Sequence, residues 1–348
     1  MKTINLHQLE KILYHVEKPG RYVGGEHNQV LKDWESIQTR VCLVFPDIYD
    51  IGQPNLGLAI LYDILNKQPD ILAERSFAPW HDLEARLRQD HIPLFSLESK
   101  HPLSDFDVVG ISLPYESLYT NALNVLDLAG IPLLATQRTE AHPLIIAGGQ
   151  ACFNPEPMAD FIDAFVIGEA EEVALELLGS FEECKRSKVS KQETLLKLSQ
   201  IPGVYVPSLY DIIYAQGGSI TRIIPAMQDV PPFVIKRIVP ILPPHPTHLI
   251  VPNIETVHDR LSIEIMRGCT RGCRFCHAGI VNRPVRQRPV SEILQIIEDG
   301  LASTGYEEIG LLSLSSSDHT QILELTRAVY EKFHDRRIFV SLPSLRIA

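Results

Sequence analysis

The chain has 348 residues, 45% of them hydrophobic and 22% charged, and a formal net charge of −11 at pH 7. That length can bury a sizeable core and suggests two domains or more, while the negative balance argues against a protein that coats nucleic acid through bulk electrostatics. No run approaches the roughly 18 apolar residues of a spanning helix, the start Met1-Lys2-Thr3-Ile4-Asn5-Leu6-His7 lacks a signal-peptide core, and six cysteines, three of them clustered, suit a reducing compartment better than a disulfide framework. A cytoplasmic protein with no membrane partner is expected.

Residues 1–40 read as a polar and aromatic leader containing Lys18-Pro19-Gly20-Arg21-Tyr22-Val23-Gly24-Gly25-Glu26, with no chemistry that demands those residues. From Arg40 onward short apolar strands alternate with amphipathic helices, the signature of parallel α/β structure. Strands are expected at 41–45, 71–77, 108–113, 144–147 and 161–167. A helix near 57–67 places Leu58, Leu61, Tyr62 and Leu65 on one face. Another near 118–130 carries Leu118, Ala122, Val125, Leu126 and Ala129 before Gly130 stops it. Both stripes are core. Residues 41–180 therefore form a Rossmann-like, doubly wound domain whose ligands would lie outside the carboxyl ends of the strands.

The loops at those ends are distinctive. The first strand leads into Asp47-Ile48-Tyr49-Asp50-Ile51-Gly52, the third into Ser112-Leu113-Pro114-Tyr115, and the fourth into Ala147-Gly148-Gly149. In this order they resemble a cobalamin-binding domain, whose pattern is DxHxxG, then a serine-bearing loop, then a glycine pair. The resemblance implies cofactor contacts from Asp47, Tyr49, Gly52, Ser112, Gly148 and Gly149. Tyr49 stands where the pattern has the cobalt-ligating histidine, and a phenol with an ordinary pKa of about 10 is a poor replacement. Cobalamin would then bind without a protein axial ligand, or the domain would serve as a scaffold. Taken alone, Gly148-Gly149 is equally a tight strand-end turn. Asn154, Glu156 and Glu169 are placed at the same edge, where hydrogen bonding within turns also explains them.

Residues 181–260 read as a connection. Lys185-Arg186-Ser187-Lys188 and Pro240-Ile241-Leu242-Pro243-Pro244-His245-Pro246 look like linker, and Val204-Tyr205-Val206 with Ser219-Ile220-Thr221-Arg222-Ile223 flank Gln216-Gly217-Gly218 as a hairpin. His245 and His248 are assigned to loop.

The next segment, Leu261-Ser262-Ile263-Glu264-Ile265-Met266, alternates like a strand with one buried face. It runs into Cys269-Thr270-Arg271-Gly272-Cys273-Arg274-Phe275-Cys276, three cysteines at CxxxCxxC spacing. Thiolates are the soft ligands of iron–sulfur clusters, and three leave one iron open. Gly268 and Gly272 let the loop fold tightly. Ser291 can cap a following helix that carries Ile293, Ile296, Ile297 and Leu301. A Cys3His zinc site using His277 is the competing reading, although a histidine directly after Cys276 can hardly bend back to the same metal. Cys42, Cys152 and Cys184 are scattered, and Cys42 fits a core strand. Arg267, Arg271, Arg274, Arg283, Arg286 and Arg288 occur with no acidic residue between Glu264 and Glu292. Such an island can bind a carboxylate or a phosphate-bearing partner such as RNA, or simply offset the charge of a thiolate-ligated cluster.

Strand, cysteine loop and helix in this order resemble the radical SAM superfamily. There the three cysteines, here Cys269, Cys273 and Cys276, hold a 4Fe–4S cluster whose open iron chelates S-adenosylmethionine, giving a 5′-deoxyadenosyl radical on reductive cleavage. The resemblance places Phe275 near the adenine and implies a reductant such as flavodoxin or ferredoxin. Together with Phe77-Ala78-Pro79-Trp80 and Val166-Ile167-Gly168-Glu169, most of the chain resembles a cobalamin-type subfamily of these proteins. Residues 261–348 then supply a strand at 309–314, a helix carrying Ile322, Leu325, Val329 and Phe333, and a strand at 338–342, about half of the usual six-stranded barrel. Ser315-Ser316-Ser317-Asp318 replaces the glycine-rich turn that meets the SAM amino group, making Ser315 and Ser316 the corresponding positions. An open half-barrel exposes a strand edge, so the chain is expected to be a truncated form. Its competing reading is an inactive scaffold.

Overall fold

The computed structural model describes residues 4–345; the outermost parts of the expected leader and half-barrel lie outside the described residues. The chain divides into two compact units. One comprises 1–23, 30–52 and 64–238, and the other 24–29, 53–63 and 239–348.

In the first unit, α1 (Leu6–Leu13) precedes β1 (Thr39–Phe45), the short α2 (Tyr49–Gly52), α3 (Leu56–Asn66, whose first turns belong to the second unit) and β2 (Ile71–Phe77). Then come α4 (His81–Gln89), β3 (Val108–Ser112), α5 (Tyr119–Leu128), β4 (Leu144–Gly148), β5 (Ala164–Val166), α6 (Val173–Ser187), α7 (Lys191–Ser199) and β6 (Val204–Tyr205). The sheet order is β2-β1-β3-β4-β5-β6, parallel except for the antiparallel edge strand β6. The expected strands are therefore present in a Rossmann-like sheet, with β6 added. The order reverses between β1 and β3, which is the switch point where doubly wound sheets place their ligands. Apolar runs such as Val41–Phe45 are buried throughout, as a sheet covered on both faces requires.

Several local expectations change. Lys185-Arg186-Ser187 is the last turn of α6, which ends at Lys188 in the left-handed region, and the next helix is fixed by a Ser190–Glu193 capping box. The hairpin pairs β7 (Tyr210–Tyr214) with β8 (Ile220–Pro225), while Val204-Tyr205 joins the main sheet instead. Both segments are rich in the β-branched and aromatic residues of strands, and pairing with β5 takes up Val204-Tyr205.

The second unit is built on β9 (Leu261–Glu264), β10 (Met266–Arg267), α8 (Ala278–Val281), β11 (Arg286–Gln287), α9 (Val290–Thr304), β12 (Glu308–Leu312), α10 (Ile322–Phe333) and β13 (Phe339–Ser341). Its parallel sheet has the order β13-β12-β9, and β10 pairs with β11 as a small antiparallel ribbon. Leu261 and Ile263 are fully buried with Ile293, Ile297 and Leu301 of α9, and Leu325, Val329 and Phe333 of α10 complete this core. By the two-residue period, Ser262 and Glu264 face the other side of the sheet. A side chain at Gly300 would meet Leu261 at 2.8 Å, so the helix approaches the strand closely. Proline at 289, rather than Ser291, occupies the N-cap of α9.

Candidate functional site

The cysteine loop leaves the carboxyl end of β9 through Gly268. Its φ is +86°, and a side chain there would meet the Asn282 and Pro284 carbonyl oxygens, each at 2.6 Å. Gly272 is also left-handed, at φ +64°. The loop is thus drawn against the 282–284 segment by a backbone approach only glycine permits. All three cysteines are partly exposed thiols. The Gly279 amide donates to Cys276 Sγ at 3.3 Å and the Arg271 amide to Cys269 Sγ at 3.5 Å. A side chain at Gly279 would come 3.3 Å from Cys276 Sγ and 4.0 Å from Cys269 Cβ, so this residue leaves room over two thiols. Phe275 is 92% exposed.

Among the described residues no group of three or more His, Cys, Asp or Glu side chains is assembled as around one metal ion. Thiolates that each ligate a different iron of a cluster do not have to converge on one point. Soft donors, amides aimed at sulfur and the absence of a side chain at Gly279 beside Cys276 fit an iron–sulfur cluster.

Most of the arginine island has internal work. Arg267 grips Glu264 with Nε and Nη2 at 2.8 and 2.9 Å. Arg283 donates to the Cys269 and Gly279 carbonyls, and Arg286 to the Val239 carbonyl at 2.6 Å. Arg288 is 2% exposed; it donates to the Glu264 and Pro243 carbonyls at 3.0 and 2.7 Å and pairs with Glu292. Arg271 pairs with Asp318. Arg274 is exposed.

The serine loop lies beyond the carboxyl end of β12, which pairs with β9. Ser316 is fully buried and bonds Ser313 Oγ at 2.8 Å. Ser315 is 5% exposed, and its Oγ is buried with no partner among the described residues. An orphaned hydroxyl beside the cysteine loop is what a polar ligand would satisfy. His245, expected in an open loop, is buried: Nδ1 donates to the Pro246 carbonyl at 2.8 Å, and Nε2 has no partner among the described residues. Only the proline cluster around it hinted at fixed backbone.

The first unit gathers the other predicted residues at the carboxyl edge of its sheet. Ser112 and Gly148 are register partners at the ends of β3 and β4. Gly149 has φ +123°, and a side chain there would lie 2.4 Å from the Leu113 carbonyl oxygen, so the two loops touch through backbone. Gly52 is held between Phe77 and Phe45, which a side chain would meet at 2.5 and 3.0 Å. Asp47 is partly exposed and caps the Ile48 amide at 2.7 Å. Tyr49, however, is 1% exposed with its ring edge-on to Phe77 at 5.3 Å, in the core below the loop surface rather than in a crevice. Tyr115 beyond β3 is 41% exposed, and burial together with Asp47 pushes its phenol pKa up. The leader proves structural. Burial alone would raise the pKa of Asp50, but Arg21 (2.6 and 3.2 Å) and Lys18 (3.0 Å) hold that carboxyl below its ordinary value. Glu156 accepts from the Tyr205 hydroxyl at 2.6 Å, a turn-fixing role. No helix among the described residues is long and apolar enough to cross a membrane.

Two family models match: "Radical SAM proteins, N-terminal" over residues 57–207 and "Radical SAM superfamily" over 263–348. An uncharacterised protein of Methanocaldococcus jannaschii is 24% identical over 309 residues, 88% of this chain and 55% of that protein. Among solved structures, the radical S-adenosylmethionine methyltransferase TsrM from Kitasatospora setae, with cobalamin and a 4Fe–4S cluster bound, matches with TM-score 0.53 and 16% identity over 86% of this chain and 55% of that one. The cobalamin-dependent S-adenosylmethionine radical enzyme OxsB, with aqua-cobalamin and S-adenosylmethionine bound, matches with TM-score 0.51 and 15% identity over 86% and 37%. The chain thus spans about half, or less, of the length of these relatives, and the structural likeness speaks to the fold.

Proposed function

We propose, for a chain that belongs to the radical SAM superfamily and has the fold of its cobalamin-dependent members, that Cys269, Cys273 and Cys276 hold a 4Fe–4S cluster beside a binding place for S-adenosylmethionine. Once reduced by an external one-electron donor, such a cluster would supply one electron for cleavage of S-adenosylmethionine to methionine and a 5′-deoxyadenosyl radical. The observation that carries the reading is the conjunction of three partly exposed thiols, two of them accepting backbone amides, with the orphaned Ser315 hydroxyl at the neighbouring strand end. Amide donors stabilise the thiolate form that ligation needs. Ser315 is available to accept from the amino group of the ligand, Ser316 fixes the loop from below, and the exposed Phe275 ring can cover an adenine.

The test is anaerobic reconstitution with iron and sulfide, then electron paramagnetic resonance of the dithionite-reduced protein with and without S-adenosylmethionine. The expected result is a reduced-cluster signal that changes on addition of the ligand and is absent from Cys269→Ala, Cys273→Ala or Cys276→Ala. A cluster indifferent to the ligand would favour the scaffold reading, and stoichiometric zinc without iron would favour the zinc one.

The first unit supports a second cofactor. Its switch point between β1 and β3, with Asp47, Ser112 and the Gly148-Gly149 approach at the rim, suits cobalamin. The burial of Tyr49 means that this residue would not ligate cobalt from its observed position. Binding of hydroxocobalamin, followed by its visible spectrum, tests this; no binding at high micromolar cofactor would remove it. The free thiols fit a reducing cytoplasm, and an acidic one-electron carrier such as flavodoxin or ferredoxin fits the exposed Arg274 beside the cysteines. The RNA reading gains nothing, since five of the six island arginines are engaged internally.

A further inference from the structure

Arg271 lies between the first two cysteines and touches two structures at once. Its backbone amide donates to Cys269 Sγ at 3.5 Å. Its guanidinium reaches Asp318, 47 residues away in sequence, through Nε at 2.7 Å and through Nη2, a bidentate grip on both carboxylate oxygens. Asp318 closes the serine loop that carries Ser315, whose amide is fixed by Ser313 Oγ at 3.2 Å and whose buried hydroxyl has no partner among the described residues.

The rest of that loop is anchored elsewhere. Gln287 Oε1 accepts from the Thr320 amide and hydroxyl at 3.1 and 2.6 Å. His319 Nε2 meets the Arg288 carbonyl at 3.2 Å, and the Ser316 amide donates to the Ser344 carbonyl at 2.8 Å. These bonds secure the loop on the β10–β11 ribbon and below β13. They do not involve the cysteine loop.

The Arg271 side chain is 48% exposed, and an exposed ion pair contributes little to global stability. A fork-on-fork pair fixes direction as well as distance, however. We propose that Arg271 and Asp318 form a positioning clamp, which sets the Ser315 hydroxyl relative to the three cysteines so that cluster and S-adenosylmethionine are presented to each other in register. The clamp rests on the function proposed above. Neither residue has to touch the ligand; each acts through the loop it holds.

The experiment compares Arg271→Gln, Asp318→Asn and the charge-exchanged double variant Arg271→Asp/Asp318→Arg with the wild type. Iron content and melting temperature are measured first, and the dissociation constant for S-adenosylmethionine follows by titrating the reduced-cluster resonance. The single variants should keep wild-type iron and melting temperature and weaken the ligand about tenfold, with the double variant recovering most of the loss, as coupled neighbours do. In the metal-free protein, hydrogen exchange at 315–318 should accelerate in Arg271→Gln while the Thr320 amide stays protected. Ligand binding within twofold of wild type in both single variants would overturn the clamp, as would iron loss in step with ligand loss or a double variant no better than the singles. If the wild-type cluster itself ignores S-adenosylmethionine, the functional reading falls and takes the clamp with it.

Discussion

Acid should destabilise the second unit through His245. Burial lowers the pKa of this imidazole from 6.5 to about 4; its bond to the Pro246 carbonyl opposes the shift, and the Arg288 guanidinium adds to it. The folded state therefore favours the neutral ring, and the unfolded chain binds the proton more readily. The associated stability is fully present above pH 6.5 and is lost as pH falls through 6.5 towards 4. A depression of that size is worth on the order of 3 kcal/mol at full titration, of which about 2 kcal/mol is gone by pH 5 and nearly all by pH 4. Urea unfolding between pH 7.5 and 4.5, in wild type and His245→Gln, measures it. Asp50, whose pKa is lowered, and Glu74, whose pKa is raised by burial and by Glu98, add their own slopes, but both persist in the variant and cancel in the difference. The variant should show a pH dependence shallower by about 2 kcal/mol between pH 7 and pH 5. Parallel curves for the two proteins would refute the assignment of a buried, neutral His245.

Gly268→Ala places a methyl group 2.6 Å from two carbonyl oxygens at φ +86°, and should cut iron incorporation several-fold while circular dichroism changes little, because the strain of roughly 1–3 kcal/mol is confined to the cysteine loop; normal iron content would show that the loop tolerates the shift. Gly149→Ala meets the Leu113 backbone at 2.4 Å and should lower the denaturation midpoint of the first unit by the equivalent of on the order of 3 kcal/mol, an unchanged midpoint contradicting the close loop contact. Ser315→Ala removes an unsatisfied buried hydroxyl, so the metal-free protein should gain about 1 kcal/mol in urea unfolding while S-adenosylmethionine binds less tightly; lower stability would mean that the hydroxyl has a partner within the protein.

Local signals were legible where an element is short and bounded by turn residues. The run Ile71–Phe77 is a strand over the expected residues, and the helix expected at 57–67 forms at Leu56–Asn66, because the helical apolar period and the flanking turn residues act over a few positions. The cysteines declare their chemistry by type and spacing alone. Which segment pairs with β8 was not legible, since Val204–Tyr205 and Tyr210–Tyr214 are both made of strand-favouring residues and only the pairing of Val204–Tyr205 with β5 separates them.

Residue order and spacing carry the strand–helix alternation that builds the parallel sheet, the three clustered thiols and the glycines at loop positions. Long-range packing puts Tyr49 in the core, spends most of the arginine island on carbonyls and carboxylates, buries His245, and leaves the Ser315 hydroxyl without a partner among the described residues. Spacing reports what a residue can do within its own turn or strand. Burial and pairing depend on residues such as Asp318, 47 positions from its arginine, that meet only when the sheet forms.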